Sequence, residues 1–182
     1  MPLRAQTPVN DPSYTTGGNL VFPKAYRKWV FLSSGLDMAY LPSARPGQST
    51  FTNVFVNPES YDAFLQTGTW PDKTTLVLEV RTAADSGSII RGGHYQSDVA
   101  HTEVHVKDTA RFKGGWAFFG FADEAPAQMI PRNATCYSCH QDHGAVDTTF
   151  VQFYPTLLPI ARDKKTFGAG YLADETKATQ QH

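Results

Sequence analysis

The sequence predicts an α+β fold, built mainly from an antiparallel β-sheet with a few short helices. Several short runs rich in β-branched and aromatic residues follow one another closely, turn residues separate them, and no long helical pattern lies between them. With 182 residues the chain can bury one sizeable core, so one domain is the default. We expect that domain over residues 19–162, between a loosely held arm (1–18) and a polar, frayed tail (163–182).

The first half of the chain predicts three strands and two helical segments. Pro23 is suited to begin a helical turn over 24–27. Strands are predicted over 29–33, 51–56 and 74–81, where β-branched and aromatic residues concentrate. A long loop over 35–49 separates the first two strands, and loops of this length often border a site.

A short helix is predicted between the second and third strands. Asn57 is a favourable N-cap, and Pro58 fits the first helical turn. Tyr61 begins an i, i+3, i+4 apolar stripe that should pack on the sheet, and Gly68 ends the helix. Trp70, in the following turn, is expected in the core.

The second half predicts a short edge strand over 94–100 and further strands over 101–106 and 116–121. After Asp123 the sequence changes to an irregular, proline-bearing segment. Apolar residues over 145–153 are then roughly helically spaced.

The segment Cys136-Tyr137-Ser138-Cys139-His140 has the form C-x-x-C-H, which is typical of c-type haem attachment. The thiols of Cys136 and Cys139 can each add to a vinyl group of one porphyrin, and His140 can bind the iron. These are the only cysteines of the chain. A zinc site would need a second ligand pair beyond His143, a dithiol redox site would follow a strand, and a disulfide across so tight a loop is unfavourable for stability.

Composition excludes several classes of function. Sixteen basic residues balance 17 acidic ones, so the footprint of a nucleic-acid or membrane-surface protein is missing. No apolar run approaches the ~20 residues that span a bilayer. Covalent haem attachment normally takes place outside the cytoplasm, and residues 1–10 do not form a signal peptide. We therefore expect a periplasmic protein whose export signal is absent from this chain.

Several further segments, taken with the haem motif, resemble the cytochrome P460 family and its relatives, the cytochromes c′-β. The resemblance covers roughly residues 19–161. The segments are Phe-Pro-Lys-x-Tyr-Arg-x-Trp-Val (22–30), Asn-Pro-Glu-Ser-Tyr (57–61), Thr-Gly-Thr-Trp-Pro-Asp-Lys-Thr (67–74), Val-Lys-Asp-x-x-Arg-Phe (106–112), Trp-Ala-Phe-Phe-Gly-Phe (116–121) and Asp-x-x-Phe-x-x-Phe-Tyr-Pro (147–155).

The resemblance implies a β-rich fold that carries one pentacoordinate haem c, usually in a periplasmic homodimer. Family members oxidise hydroxylamine or bind nitric oxide and carbon monoxide on the open face of the haem. In the P460 proteins proper, a lysine of one strand is cross-linked to the porphyrin. The resemblance places that position near Leu78, on a strand without lysine, and the nearest lysine is Lys73 in the preceding turn. The c′-β relatives lack the cross-link and have an apolar distal face, often with phenylalanine.

The resemblance also guides the expected site. We expect Cys136, Cys139 and His140 to hold the haem, with His140 as the iron ligand. Distal candidates are Phe51, Phe55 and Leu78, although the two phenylalanines also suit the core. Arg132 and Arg111 are candidates for pairing with haem propionates. Minor candidates are His94 for the distal pocket, His143 as a ligand, and His101 with His105 as a metal pair, against a simpler role as surface or core residues.

Three functions remain open at this point. The first is a c′-β-like protein that binds small ligands such as nitric oxide. The second is a P460-type enzyme that oxidises hydroxylamine. Such an enzyme uses a distal carboxylate, and none matches clearly: Glu79 is predicted on the opposite face from Leu78, while Asp123 and Glu124 precede the haem motif. The third is an electron carrier with a redox partner protein, which needs a second axial ligand such as Met38, Met129 or His94.

Overall fold

An antiparallel sheet forms the centre of the computed structural model, which describes residues 10–39 and 49–180. Its strands lie side by side in chain order, so each pairs with its neighbours in sequence. This confirms the predicted α+β class. The strands are β1 (Val30–Leu36), β2 (Thr50–Val56), β3 (Thr75–Ala84), β4 (Tyr95–Lys107) and β5 (Trp116–Phe121).

Short helices flank the sheet. A 3-10 turn (Tyr26–Lys28) precedes β1, where Pro23 was expected to begin a helical turn. The others are α1 (Pro58–Thr67), α2 (Thr135–His143), a 3-10 turn (Val151–Phe153), α3 (Leu158–Lys164) and α4 (Ala169–Gln180).

The two faces of the sheet cover two separate hydrophobic clusters because successive side chains of a strand point to opposite sides. In β3, Leu76 packs in one cluster with Trp70, Phe64 and residues that follow α2. Its neighbour Val77 packs in the other, with Tyr26 and Phe119. We call the side of Leu76 the helix face and the side of Val77 the outer face.

Helix α1 forms where it was predicted, but Asn57 does not cap it. The Asn57 side chain makes no capping hydrogen bond. Its Oδ1 instead accepts a hydrogen bond from the backbone N–H of Thr75, at 2.8 Å. At the other end, Gly68 adopts the left-handed conformation, with φ 73°, that ends a helix most easily when the residue is glycine.

Three expectations about elements need correction. The edge strand over 94–100 and the strand over 101–106 are one strand, β4, with irregular pairing opposite Arg81. The apolar run over 145–153 does not form a helix: it contains a tight turn over 146–149, followed by a short 3-10 turn. The tail expected to fray contains the end of α3 and the helix α4, which contacts α2. Much of the predicted loop over 35–49 (residues 40–48) lies outside the described residues, as does half of the arm (residues 1–9).

Within residues 10–39 and 49–180, no helix combines the length and apolar character that crossing a bilayer would require.

Candidate functional site

Helix α2 carries the C-x-x-C-H motif and presents it to the helix face of the sheet. Cys136, Cys139 and His140 are spaced i, i+3 and i+4, so their side chains lie on one side of the helix. All three line a cavity of about 350 Å³ between α2 and the sheet.

The cavity walls come from four parts of the fold and are mainly apolar. Strands β2, β3 and β4 contribute one wall, the end of β1 a second, α2 a third, and the segment after α2 the fourth. The lining residues beyond the motif are Ser33, Gly35, Met38, Thr52, Val54, Leu76, Leu78, Glu103, His105, Thr149, Phe150, Phe153 and Tyr154.

The imidazole of His140 is fixed by a backbone hydrogen bond. Its Nδ1 lies 2.8 Å from the carbonyl oxygen of Thr148, and a carbonyl oxygen can only accept. Nδ1 therefore carries the proton, and Nε2 keeps its lone pair. Burial lowers the pKa of His140, while the hydrogen bond to Thr148 opposes that shift in part. The result is a neutral ring with a free Nε2, the form that binds metal ions.

Aromatic rings surround His140. The ring centroids of Phe150, His105 and Phe118 lie 4.3, 4.7 and 4.8 Å from that of His140. Burial, and then the neighbouring His140, hold the pKa of His105 well below its usual range. Both imidazoles are therefore neutral near pH 7, which allows them to lie close together without charge repulsion.

Cys136 and Cys139 are free thiols, each partly buried. Burial raises the pKa of Cys139, with further contributions from Asp142 and Cys136. A raised pKa disfavours the thiolate that a redox dithiol uses for attack. In the described part of the chain, no group of three or more His, Cys, Asp or Glu side chains could hold a metal ion by itself. These observations favour neither the dithiol nor the zinc alternative.

The same donor set fits a c-type haem. Two thiols stand at the spacing of the attachment motif, an imidazole with a fixed tautomer stands beside them, and an apolar cavity adjoins all three. Three different elements produce this arrangement. Helix α2 aligns the motif residues, the Thr148 carbonyl orients the His140 ring, and the sheet contributes one wall of the cavity.

Leu78, one of the three expected distal residues, lines the cavity, but Phe51 and Phe55 do not. The structure corrects their placement. Alternation along β2 sends Thr52 and Val54 to the cavity and the two phenylalanines to the outer face. There the Phe55 ring packs against Tyr26 and Phe31, at centroid distances of 5.5 and 5.6 Å. The face of β2 that meets the cavity could not be read from alternation alone.

Arg132, the expected propionate partner, also lies away from the cavity lining. Its Nη1 donates a hydrogen bond to the carbonyl of Trp116, at 2.6 Å, and its guanidinium lies 4.7 Å from the ring centre of Tyr137. Arg132 thus connects β5 to α2. Arg111 lies over the ring of Tyr14 instead, at 3.9 Å.

The remaining histidine candidates occupy different places. His94 is exposed in the turn before β4, and His101 is exposed on β4. Nδ1 of His143 lies 2.6 Å from Asp174 of α4. Of the possible second axial ligands, Met38 lines the cavity, whereas Met129 does not.

Two cavity residues that sequence reasoning did not assign to it are Glu103 and His105. Glu103 is the cross-strand partner of Leu78, so the two side chains share one face of the sheet. Nε2 of the exposed His101, two residues earlier on the same face, lies 3.5 Å from Glu103. The alternation of β4 places His101, Glu103 and His105 on one face of the strand. Only the register with β3 shows that Glu103 lies beside Leu78.

Comparison with known proteins agrees with the geometry. The family model for cytochrome P460 matches residues 23–151, which is more than half of the chain. A search of curated proteins gave no match. The match begins at Pro23, includes all five strands and ends just beyond the His140–Thr148 contact, so it covers both the sheet and the motif. The chain is a member of the cytochrome P460 family, a family of c-type haem proteins.

Proposed function

We propose that this chain holds one haem c covalently, through thioether bonds to Cys136 and Cys139, with Nε2 of His140 as the axial ligand. The fixed tautomer of His140 supports this assignment because Nε2 is its unprotonated nitrogen. When bound, such a haem supplies an iron centre with a vacant coordination position for a small ligand.

We further propose that the protein binds small uncharged diatomics, nitric oxide first and carbon monoxide as a probe. One observation carries this proposal: no lysine is present among the described residues that line the cavity, and Leu78 stands where the family resemblance places the cross-linking lysine. Apolar side chains such as Leu78 and Val54 exclude water and offer few hydrogen bonds to a charged ligand. A neutral diatomic loses little hydration free energy when it enters such an apolar cavity.

Mass spectrometry of the denatured protein tests the attachment. Protein from a host that matures c-type cytochromes should carry the mass of one haem on a peptide containing residues 136–140, and no lysine-containing peptide should be joined to it. Cys136→Ser and Cys139→Ser should each leave one thioether bond or none. A product without haem, or a haem joined to a lysine, would overturn the proposal.

Glu103 supports a second candidate, the oxidation of hydroxylamine. Its carboxylate lines the cavity and could accept a proton from a hydroxylamine nitrogen or oxygen. Its neighbour His101 is exposed and could pass that proton to solvent. Under this function Glu103→Gln would abolish turnover of hydroxylamine with an added electron acceptor, while leaving carbon monoxide binding intact. Wild-type protein without turnover would leave ligand binding as the function.

Location and assembly are also proposals. We propose that the protein works in the periplasm as a homodimer, as the family resemblance implies, and exchanges electrons with a partner protein. Several apolar side chains are exposed on the outer face and in the connection between β3 and β4. They include Phe31 and Ile89, and an interface could cover them. Sedimentation equilibrium of the haem-loaded protein should give twice the chain mass.

A further inference from the structure

The turn over residues 146–149, between α2 and the 3-10 turn, has an unusual backbone. Asp147 has φ 49° and Thr148 has φ 61°, so two consecutive residues other than glycine are in the left-handed region. A β-branched residue rarely adopts this conformation, because its side chain crowds the backbone. Such strain persists only where the surroundings hold the backbone firmly.

Asp147 is held from two directions. Its Oδ2 accepts a hydrogen bond from the ammonium group of Lys107, at 3.0 Å, and another from the backbone N–H of Trp70, at 3.1 Å. Lys107 also donates to the carbonyl of Trp70, at 2.7 Å. The side chains of Lys107 and Asp147 are only 18% and 31% exposed, so solvent screens this ion pair incompletely.

The far end of the turn is tied to the same tryptophan. The Thr149 hydroxyl accepts from Nε1 of Trp70, at 2.8 Å, and donates to the carbonyl of Val146, at 2.6 Å. Trp70 is almost fully buried and therefore provides a rigid anchor. Both ends of the strained segment are thus fixed to one core residue.

The strained conformation has one visible result at the cavity. It directs the carbonyl oxygen of Thr148 at Nδ1 of His140. The Thr148 hydroxyl plays no part in this, since it is buried without a hydrogen-bond partner among the described residues. The backbone of Thr148, not its side chain, is the functional group.

We propose that Asp147 is a positioning residue for His140. Together with Lys107 and Trp70 it holds the 146–149 turn in its strained conformation, so that the Thr148 carbonyl fixes the Nδ1 proton and the orientation of the ring. An acceptor at Nδ1 also makes Nε2 more electron-rich, which strengthens its bond to a metal ion. This inference rests on the proposed role of His140 as axial ligand.

The test compares variants of the haem-loaded protein by resonance Raman spectroscopy and by redox titration. Asp147→Ala should lower the iron–histidine stretching frequency of the ferrous form and raise the reduction potential, because a less electron-rich imidazole stabilises ferric iron less well. Lys107→Met should shift both in the same directions by a smaller amount, and Lys107→Arg should restore them. Asp163→Ala, a change of the same kind on the exposed side of α3, should shift neither.

Asp147→Ala protein with bound haem and wild-type values of both quantities would overturn the inference. If Asp147→Ala gives no folded protein, the same two quantities are measured on Lys107→Met, which keeps the hydrogen bond from Trp70 to Asp147. Wild-type values for Lys107→Met would then overturn the inference. Wild-type protein without covalent haem would instead contradict the proposed function, so the two failures are distinguishable.

Discussion

Glu79 is a buried carboxylate in the middle of β3, on the outer face of the sheet. Only 3% of its side chain is exposed. Arg27 and Arg81 each place a guanidinium nitrogen 2.6 Å from it, and the hydroxyl of Tyr26 donates a further hydrogen bond. Burial by itself would raise the pKa of Glu79, but the hydrogen bonds from Arg81, Tyr26 and Arg27 outweigh burial and lower it to about 2.

This shift predicts a specific dependence of stability on pH. The pKa of Glu79 falls from 4.5 when the group is unperturbed to about 2 in the fold, so its stabilising contribution is complete above pH 4.5 and is lost as the pH falls towards 2. The contribution is about 3 kcal/mol at neutral pH, at ~1.4 kcal/mol per pKa unit. Glu79→Gln should therefore lower the free energy of unfolding by about 2–3 kcal/mol at pH 7, measured by urea denaturation, and by much less at pH 2.5.

Glu59→Gln is the matched control, because Glu59 is exposed and its acceptor oxygen is retained by glutamine. It should change stability by less than about 0.5 kcal/mol. Equal losses for Glu79→Gln at pH 7 and at pH 2.5 would contradict the ion-pair account.

For single residues, the motif could be predicted from the sequence, whereas the side chains around it could not. The spacing of Cys136, Cys139 and His140 is local, so the sequence alone could group them. Glu103 and Leu78 are 25 positions apart and meet only through the register of β3 with β4. For Phe51 and Phe55, alternation along β2 predicted that both side chains share one face of the sheet. It could not predict that the cavity forms on the other face.

At the scale of elements, Asn57 connects the start of α1 to β3. Its side chain is 2% exposed and satisfies the backbone N–H of Thr75. Helix capping and cross-strand bonding make different demands on this residue. A cap needs a short acceptor near its own backbone, whereas Thr75 is reached only by a side chain of the length of asparagine.

Asn57→Ser separates these two roles. Serine is as good a cap as asparagine, but it is too short to reach Thr75 and would leave a buried N–H unsatisfied. We expect Asn57→Ser to lower the free energy of unfolding by about 1–2 kcal/mol, measured by chemical denaturation. Asn133→Ser, in an exposed turn, should be nearly neutral. Wild-type stability for Asn57→Ser would show that capping is the role after all.

The C-terminal helix α4 packs closely on α2, the helix that carries the C-x-x-C-H motif. Gly170 lies against the backbone carbonyl of Asp142, with no room for a Cβ atom. Asp174, one turn further along, pairs with His143. In an isolated helix, alanine would be favoured over glycine by about 1 kcal/mol. Contact with α2, not helix propensity, therefore explains glycine at this position.

Gly170→Ala should detach α4 from α2, because the clash is with backbone that cannot give way, while the free helix gains propensity. Hydrogen exchange should then show faster exchange over residues 169–180, with little change in β2 and β3. Gly92→Ala, where the added Cβ meets nothing, should leave the pattern unchanged. Unaltered exchange in α4 after Gly170→Ala would refute this packing role.

The elements themselves were predictable to different degrees. The sequence predicted strands at all five positions, although it divided β4 into two, because period-two alternation and β-branched residues are local signals. Helix α4 was not, since its sequence is polar and it buries mainly Tyr171. Its stability depends on contact with α2, which the sequence of the helix does not encode.

At the scale of the whole molecule, the sheet separates two environments. Its outer face holds the ion pairs of Glu79 and an aromatic cluster, and its helix face holds the cavity with His140. The family resemblance anticipated a β-rich protein with a c-type haem, and the family match confirms that assignment. The support of the His140 ring could not be predicted from the sequence, because Lys107, Trp70 and Asp147 are distant in sequence and meet only in the fold.

The ferrous absorption spectrum, recorded before and after addition of carbon monoxide, reports the coordination of the iron that this chain is proposed to hold. A covalent haem with His140 on one side and a vacant apolar position on the other should give a five-coordinate high-spin spectrum with an ordinary Soret band. Carbon monoxide should convert it promptly to a six-coordinate spectrum. A low-spin ferrous spectrum that carbon monoxide leaves unchanged, with Met38 or His105 as the second ligand, would contradict the account.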